Sequence, residues 1–123
     1  MGCTHVTVTV SNLQNSKPPF TASFLVDTGA IVCLAPDAEL RKAGIDPEGR
    51  EAYELADGTP VEYDYGFARV AFMGSNTVTK IIFGPNGVEP LLGVTALESV
   101  GIGVDPVTQT LKRYAALPLK THA

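Results

Sequence analysis

The chain has 123 residues, 45% of them hydrophobic, with a formal net charge of −4 and a pI near 5.0. That length supports one core and a single domain over 1–123. The acidic balance and the lack of any basic run speak against nucleic acid, and no stretch approaches the ~20 apolar residues that cross a bilayer. Two cysteines, Cys3 and Cys33, and two histidines, His5 and His122, are too scattered for a disulfide framework or a metal site, so no metal or cofactor is expected. The start at Met1 has neither the charged lead nor the apolar core of a signal peptide, and Met1-Gly2-Cys3 is followed by Val6 where a myristoylation signal needs Ser or Thr. The sequence therefore reads as cytoplasmic and unanchored.

Val6, Val8 and Val10 alternate with polar residues, the period of a strand with one buried face. Asn12 to Pro19 is a polar loop, Phe20 to Val26 a second strand and Ile31 to Leu34 a third. Pro36 to Ala43 reads as a short helix: proline suits its first turn, acids precede bases, and Gly44 stops it. Tyr53 and Leu55 share one strand face, and Val61, Tyr63 and Tyr65 another. Asp57-Gly58 between these runs is a hairpin signal. Strands Phe67 to Met73 and Val78 to Phe83 follow, joined by Gly74-Ser75-Asn76, and Gly84-Pro85-Asn86-Gly87 ends the run. Pro90 to Gly93 is a short buried strand, Thr95 to Val100 a helix stopped by Gly101, and a turn on Asp105-Pro106 separates Val104 from Leu111. The halves echo each other. A strand pair leads to Asp27-Thr28-Gly29, an apolar strand, a helix and Ala43-Gly44-Ile45, and a later pair leads to Leu91-Leu92-Gly93, a helix and Val100-Gly101-Ile102.

Asp27 closes an apolar strand inside the turn Asp27-Thr28-Gly29-Ala30, where glycine supplies backbone freedom and another apolar run follows at once. A carboxylate between two apolar strands is costly to hold there without a use. This pattern resembles the active-site loop of retropepsin-like (clan AA) aspartic proteases, the single-domain relatives of pepsin. Ala56-Asp57-Gly58-Thr59 resembles the flap tip of bacterial members, and Leu91-Leu92-Gly93, about sixty residues after the acid and just before a helix, resembles the family's second signature.

The resemblance implies a mainly β fold, a retropepsin-like closed barrel with one or two short helices. It implies an aspartic endopeptidase that uses no cofactor and hydrolyses extended peptide or protein substrates. The chain carries one Asp-Thr-Gly, so the second carboxylate is expected from another copy, in a homodimer. Asp27 is then the catalytic acid, Thr28 and Gly29 tie and admit the partner loop, and Ala56 to Thr59 close over substrate. Leu91, Leu92 and Gly93 back the loop, where a side chain at Gly93 would collide with neighbouring backbone. Ala30 cannot donate the hydrogen bond that Ser or Thr gives the acid in other relatives, which implies activity at weakly acidic to neutral pH. Retroviral members join their subunits through both termini, a part open here to Val6–Val10 and Tyr114–Leu119. Two alternatives stand beside this: a retropepsin-like dimerisation or peptide-binding module that does not cleave, and an unrelated small β-barrel that binds a ligand.

Overall fold

A computed structural model describes residues 4–116. Cys3, His122 and the end of the segment Tyr114–Leu119 lie outside the described residues. The elements in chain order are β1 (His5–Ser11), β2 (Phe20–Asp27), β3 (Cys33–Pro36), α1 (Asp37–Lys42), β4 (Gly49–Glu54), β5 (Pro60–Phe72), β6 (Ser75–Gly84), β7 (Leu91–Gly93), α2 (Val94–Ser99), β8 (Ile102–Val104) and β9 (Leu111–Arg113).

The main sheet runs β1-β2-β7-β3-β6-β5-β4, and a further pairing of β1 with β5 closes its first six strands into a barrel, with β4 outside. Short β7 and β3 lie antiparallel at the centre, each parallel to the long strand beside it. Exchanging β1, β2 and β3 for β5, β6 and β7 leaves this order unchanged, so the duplication expected from sequence exists, with a shift in its register. Leu25 and Ile82 flank the central Leu91–Leu34 pair, which makes Gly84, not Leu91-Leu92-Gly93, the counterpart of Asp27. The mate of Leu91-Leu92-Gly93 is Leu34-Ala35-Pro36.

Alternation drives the closure. Val8 and Val10, Phe24, Ala68 and Val70, Ile81 and Leu92 all point inward and are fully buried, and Leu40 of α1 and Leu97 of α2 are buried in the same core cluster. Each large apolar side chain so buried contributes about 1.5–3 kcal/mol against exposure.

Two expected strand boundaries also need correction. The separate strands expected around Tyr65 and Phe67 are one strand, β5, of 13 residues. Its apolar face switches at Gly66: Val61, Tyr63 and Tyr65 face one way, whereas Gly66, Ala68, Val70 and Phe72 face the core. Glycine is required there because a Cβ would stand 2.7 Å from the Asp46 carbonyl oxygen. The third strand begins at Cys33, not Ile31, because the Ile31 carbonyl is turned to accept the Thr95 N–H (3.1 Å) and its side chain is 72% exposed. The helices, the stops at Gly44 and Gly101 (φ 81° and 72°) and the turn at Asp105-Pro106 lie where expected, within a residue.

Candidate active site

The last residues of β2 pair with β7, Leu25 with Leu91, Val26 with Leu92 and Asp27 with Gly93. Beyond Asp27 the chain turns sharply. The Ala30 N–H donates to the Asp27 carbonyl at 3.1 Å, and the Gly29 N–H donates to Asp27 Oδ1 at 2.9 Å. That second bond fixes the orientation of the carboxyl. Among the described residues Oδ2 takes no such bond. Asp27 and Ala30 are half-buried, and Thr28 and Gly29 are exposed.

The turn is held from behind by main chain. The Val94 N–H donates to the Ala30 carbonyl (2.8 Å) and the Thr95 N–H to the Ile31 carbonyl (3.1 Å), so the first amides of α2, which have no partner inside the helix, are spent on the Asp27 loop. A Cβ on Gly93 would lie 2.5 Å from Val32 O and 2.6 Å from Val32 C. Only glycine lets the two backbones come this close.

Strand register places the acid on a surface. Leu25, Leu91, Leu34, Ile82 and Tyr65 are paired in succession and form one row across five strands. Their sequence neighbours Phe24, Leu92, Cys33, Ala35, Ile81 and Gly66 face the barrel core, so the row faces outward. Asp27 is two residues past Leu25 and Lys80 two before Ile82, on this same outer face. Leu91 thus belongs to the floor beside the acid, whereas Leu92 is core at 0% exposure.

Ala56, Asp57, Gly58 and Thr59 form the exposed tip of the β4–β5 hairpin. Asp57 Oδ1 accepts the Thr59 N–H (2.9 Å), the Gly58 N–H donates to the Leu55 carbonyl (2.8 Å), and Gly58 adopts φ 87°. Hydrogen bonds from Thr59 hold the Asp57 carboxyl below its usual range. The tip's hydrogen bonds close within the hairpin and none reaches the Asp27 loop.

Tyr53 pairs with Val61 and Glu51 with Tyr63, so the tyrosines assigned to two faces share one, and it continues the outer face that carries Asp27. Tyr53 and Tyr63 stack at 6.5 Å. At the hairpin root Lys80 Nζ contacts Glu51 Oε1 at 2.6 Å and lies 4.2 Å from the Tyr65 ring centre. Sequence reasoning passed over Lys80 and Glu51. The signal that would have found Lys80 is the alternation Val78, Lys80, Ile82 along β6.

Among the described residues no three His, Cys, Asp or Glu side chains are grouped to hold a metal ion, and no helix is long and apolar enough to cross a membrane.

No protein-family model matches the chain, and a search of curated proteins finds no match. Solved structures do match. The solution structure of Simian Foamy Virus (mac) protease superimposes with a TM-score of 0.54 at 14% identity, covering 76% of this chain and 91% of that one. At that identity the likeness concerns the fold: mainly β, a retropepsin-like closed barrel of six strands with two short helices. The unrelated barrel is thereby set aside.

Proposed function

We propose that the chain is an aspartic endopeptidase, active as a homodimer, that hydrolyses peptide bonds of extended peptide or protein substrates. The observation that supports this most is the setting of Asp27: a carboxyl at the edge of an apolar floor, oriented by the Gly29 N–H, on a loop whose Thr28 and Gly29 are open to a second copy.

Two Asp27 carboxyls brought to about 3 Å cannot both ionise, so the pair holds one proton and titrates as a unit. The ionised member takes a proton from a water held between them, and the water oxygen bonds to the scissile carbonyl carbon. The protonated member gives its proton to the carbonyl oxygen. The tetrahedral carbon then expels the amine, which takes the proton drawn from the water, while one hydroxyl of that carbon returns its proton to the other carboxylate, leaving a carboxylic acid product and a dyad that again holds one proton. The floor of Leu25, Leu91, Leu34 and Ile82 suits a substrate that lies extended with apolar residues beside the scissile bond. The hairpin with Ala56 to Thr59 at its tip closes over it and excludes water.

The test is a peptide-library digest read by mass spectrometry, with wild type beside Asp27→Asn. The wild type is expected to cleave, and the nearly isosteric variant to lose at least about 10³-fold in rate with its melting curve unchanged. Pepstatin-sensitive cleavage by Asp27→Asn would overturn the assignment. An intact wild-type dimer that cleaves nothing would identify a peptide-binding module instead.

A further inference from the structure

One Asp27 is half of a dyad, so the site is incomplete without a second copy, and a docking surface for that copy rests on the dimeric reading of the site. Among the described residues the two most exposed large apolar side chains are Val107 at 88% and Ile31 at 72%. Single exposed apolar residues are common on any surface, but both of these belong to segments joined to the end of the strand that carries Asp27. Ile31 is on the turn itself, four residues past the acid, with its carbonyl bound to the Thr95 N–H.

Val107 is at the tip of the β8–β9 hairpin, and that tip is tied to the same place through Thr4. The Thr4 hydroxyl donates to the Gln109 carbonyl (2.5 Å), and the Thr4 carbonyl accepts the N–H of Val26, the residue before Asp27 (2.8 Å). The tip is also internally fixed. The Asp105 carboxylate accepts the N–H groups of Val107 (2.8 Å) and Thr108 (3.2 Å), and its carbonyl accepts that of Gln109 (2.9 Å). A braced loop that is tied through Thr4 to the end of β2 and holds a valine out to water has the form of a docking element.

We propose that the β8–β9 tip with Val107, together with Ile31, is the surface on which a second copy of this chain docks to complete the Asp27 pair. In a two-fold dimer the same patch serves both subunits, so each contributes one Val107 and one Ile31 on either side of the paired acids. The strand β1 is already paired along its length with β2 and through its last three residues with β5, so among the described residues the hairpin tip is left as an exposed apolar projection tied to the end of β2.

The experiment is sedimentation equilibrium on wild type, Val107→Asp, Val107→Ser and Asp27→Asn, with thermal melts and the peptide digest in parallel. Wild type and Asp27→Asn are expected to dimerise alike. Val107→Asp is expected to raise the dimer Kd at least about tenfold, and Val107→Ser less, with both still melting cooperatively, at a temperature lowered only by the dimer stabilisation they lose. Digest activity of Val107→Asp should fall on dilution and return at high protein concentration. A cleaving wild-type dimer whose Kd neither variant changes would overturn the docking surface and leave the dimeric protease standing. A wild type that is monomeric at every concentration would overturn both.

Discussion

The turn after β2 and the turn after β6 occupy matching places in the barrel, and each lies against the start of the other half's helix. They hold that helix by different means. At its second position α2 gives the Thr95 N–H to a main-chain carbonyl, Ile31 O, whereas α1 gives the Ala38 N–H to a side chain, Asn86 Oδ1, at 3.0 Å. In the first turn the backbone does the structural work and the Asp27 carboxyl is left with a free oxygen. In the second, Gly84 stands where Asp27 does and a polar side chain, Asn86, is spent on a cap. Where main chain supports the loop, a carboxyl oxygen is left free, because no side chain is then needed to hold the helix.

The sharpest way to break this comparison is at the two glycines that pair across the halves, Gly93 with Asp27 and Gly84 with Pro36. A Cβ at Gly93 meets Val32 backbone, which cannot step aside, so Gly93→Ala is expected to cost about 3 kcal/mol or more in urea unfolding. A Cβ at Gly84 meets the end of the Leu34 side chain at 2.8 Å, which can turn, so Gly84→Ala should cost only about 1 kcal/mol. Equal costs would mean that the acid-bearing crossover is no tighter than its counterpart.

Cys33 extends the contrast, because its counterpart ahead of β7 is Pro90, which cannot ionise. Burial pushes the Cys33 thiol up to about 11 from 9.0. A folded pKa above the unfolded one means stability that is whole below pH 9 and is lost as pH rises through 11, by about 2–3 kcal/mol. Unfolding free energies measured from pH 8 to 11 should show this fall in wild type and a correspondingly smaller one in Cys33→Ala. A like fall in both would assign the alkaline loss to other groups.

The smallest effect expected is at the cap. Asn86→Ala removes the side-chain acceptor of Ala38 and should lower stability by about 1 kcal/mol, with kcat in the peptide digest unchanged. A matching loss of kcat would mean that the second turn serves catalysis too.

The Asp27 loop was legible because its chemistry is local: an acid, a small residue and a turn lie adjacent in the chain. Gly93 was legible in kind, since a glycine between bulky apolar residues and a helix points to close backbone contact, but its partner, Val32, lies across a strand order that no local pattern encodes. The shared face of Tyr53 and Tyr63 and the row from Leu25 to Tyr65 depend on register between strands far apart in sequence. Gly66 misled for a definable reason. A strand that leaves the barrel to enter a hairpin changes which side it buries, and alternation alone then reads as a break.

That unbroken strand has a mechanical consequence. At about 3.4 Å per residue, the 13 residues of β5 form a beam of roughly 44 Å, clamped by β6 and β1 at one end and carrying the hairpin tip at the other. Gly66 is no pivot, because it is buried, paired with Ile81 and hemmed in by the Asp46 carbonyl. Movement of the tip is therefore elastic bending spread along the ladder, and its stiffness is set by the wall of the barrel as much as by the hairpin itself.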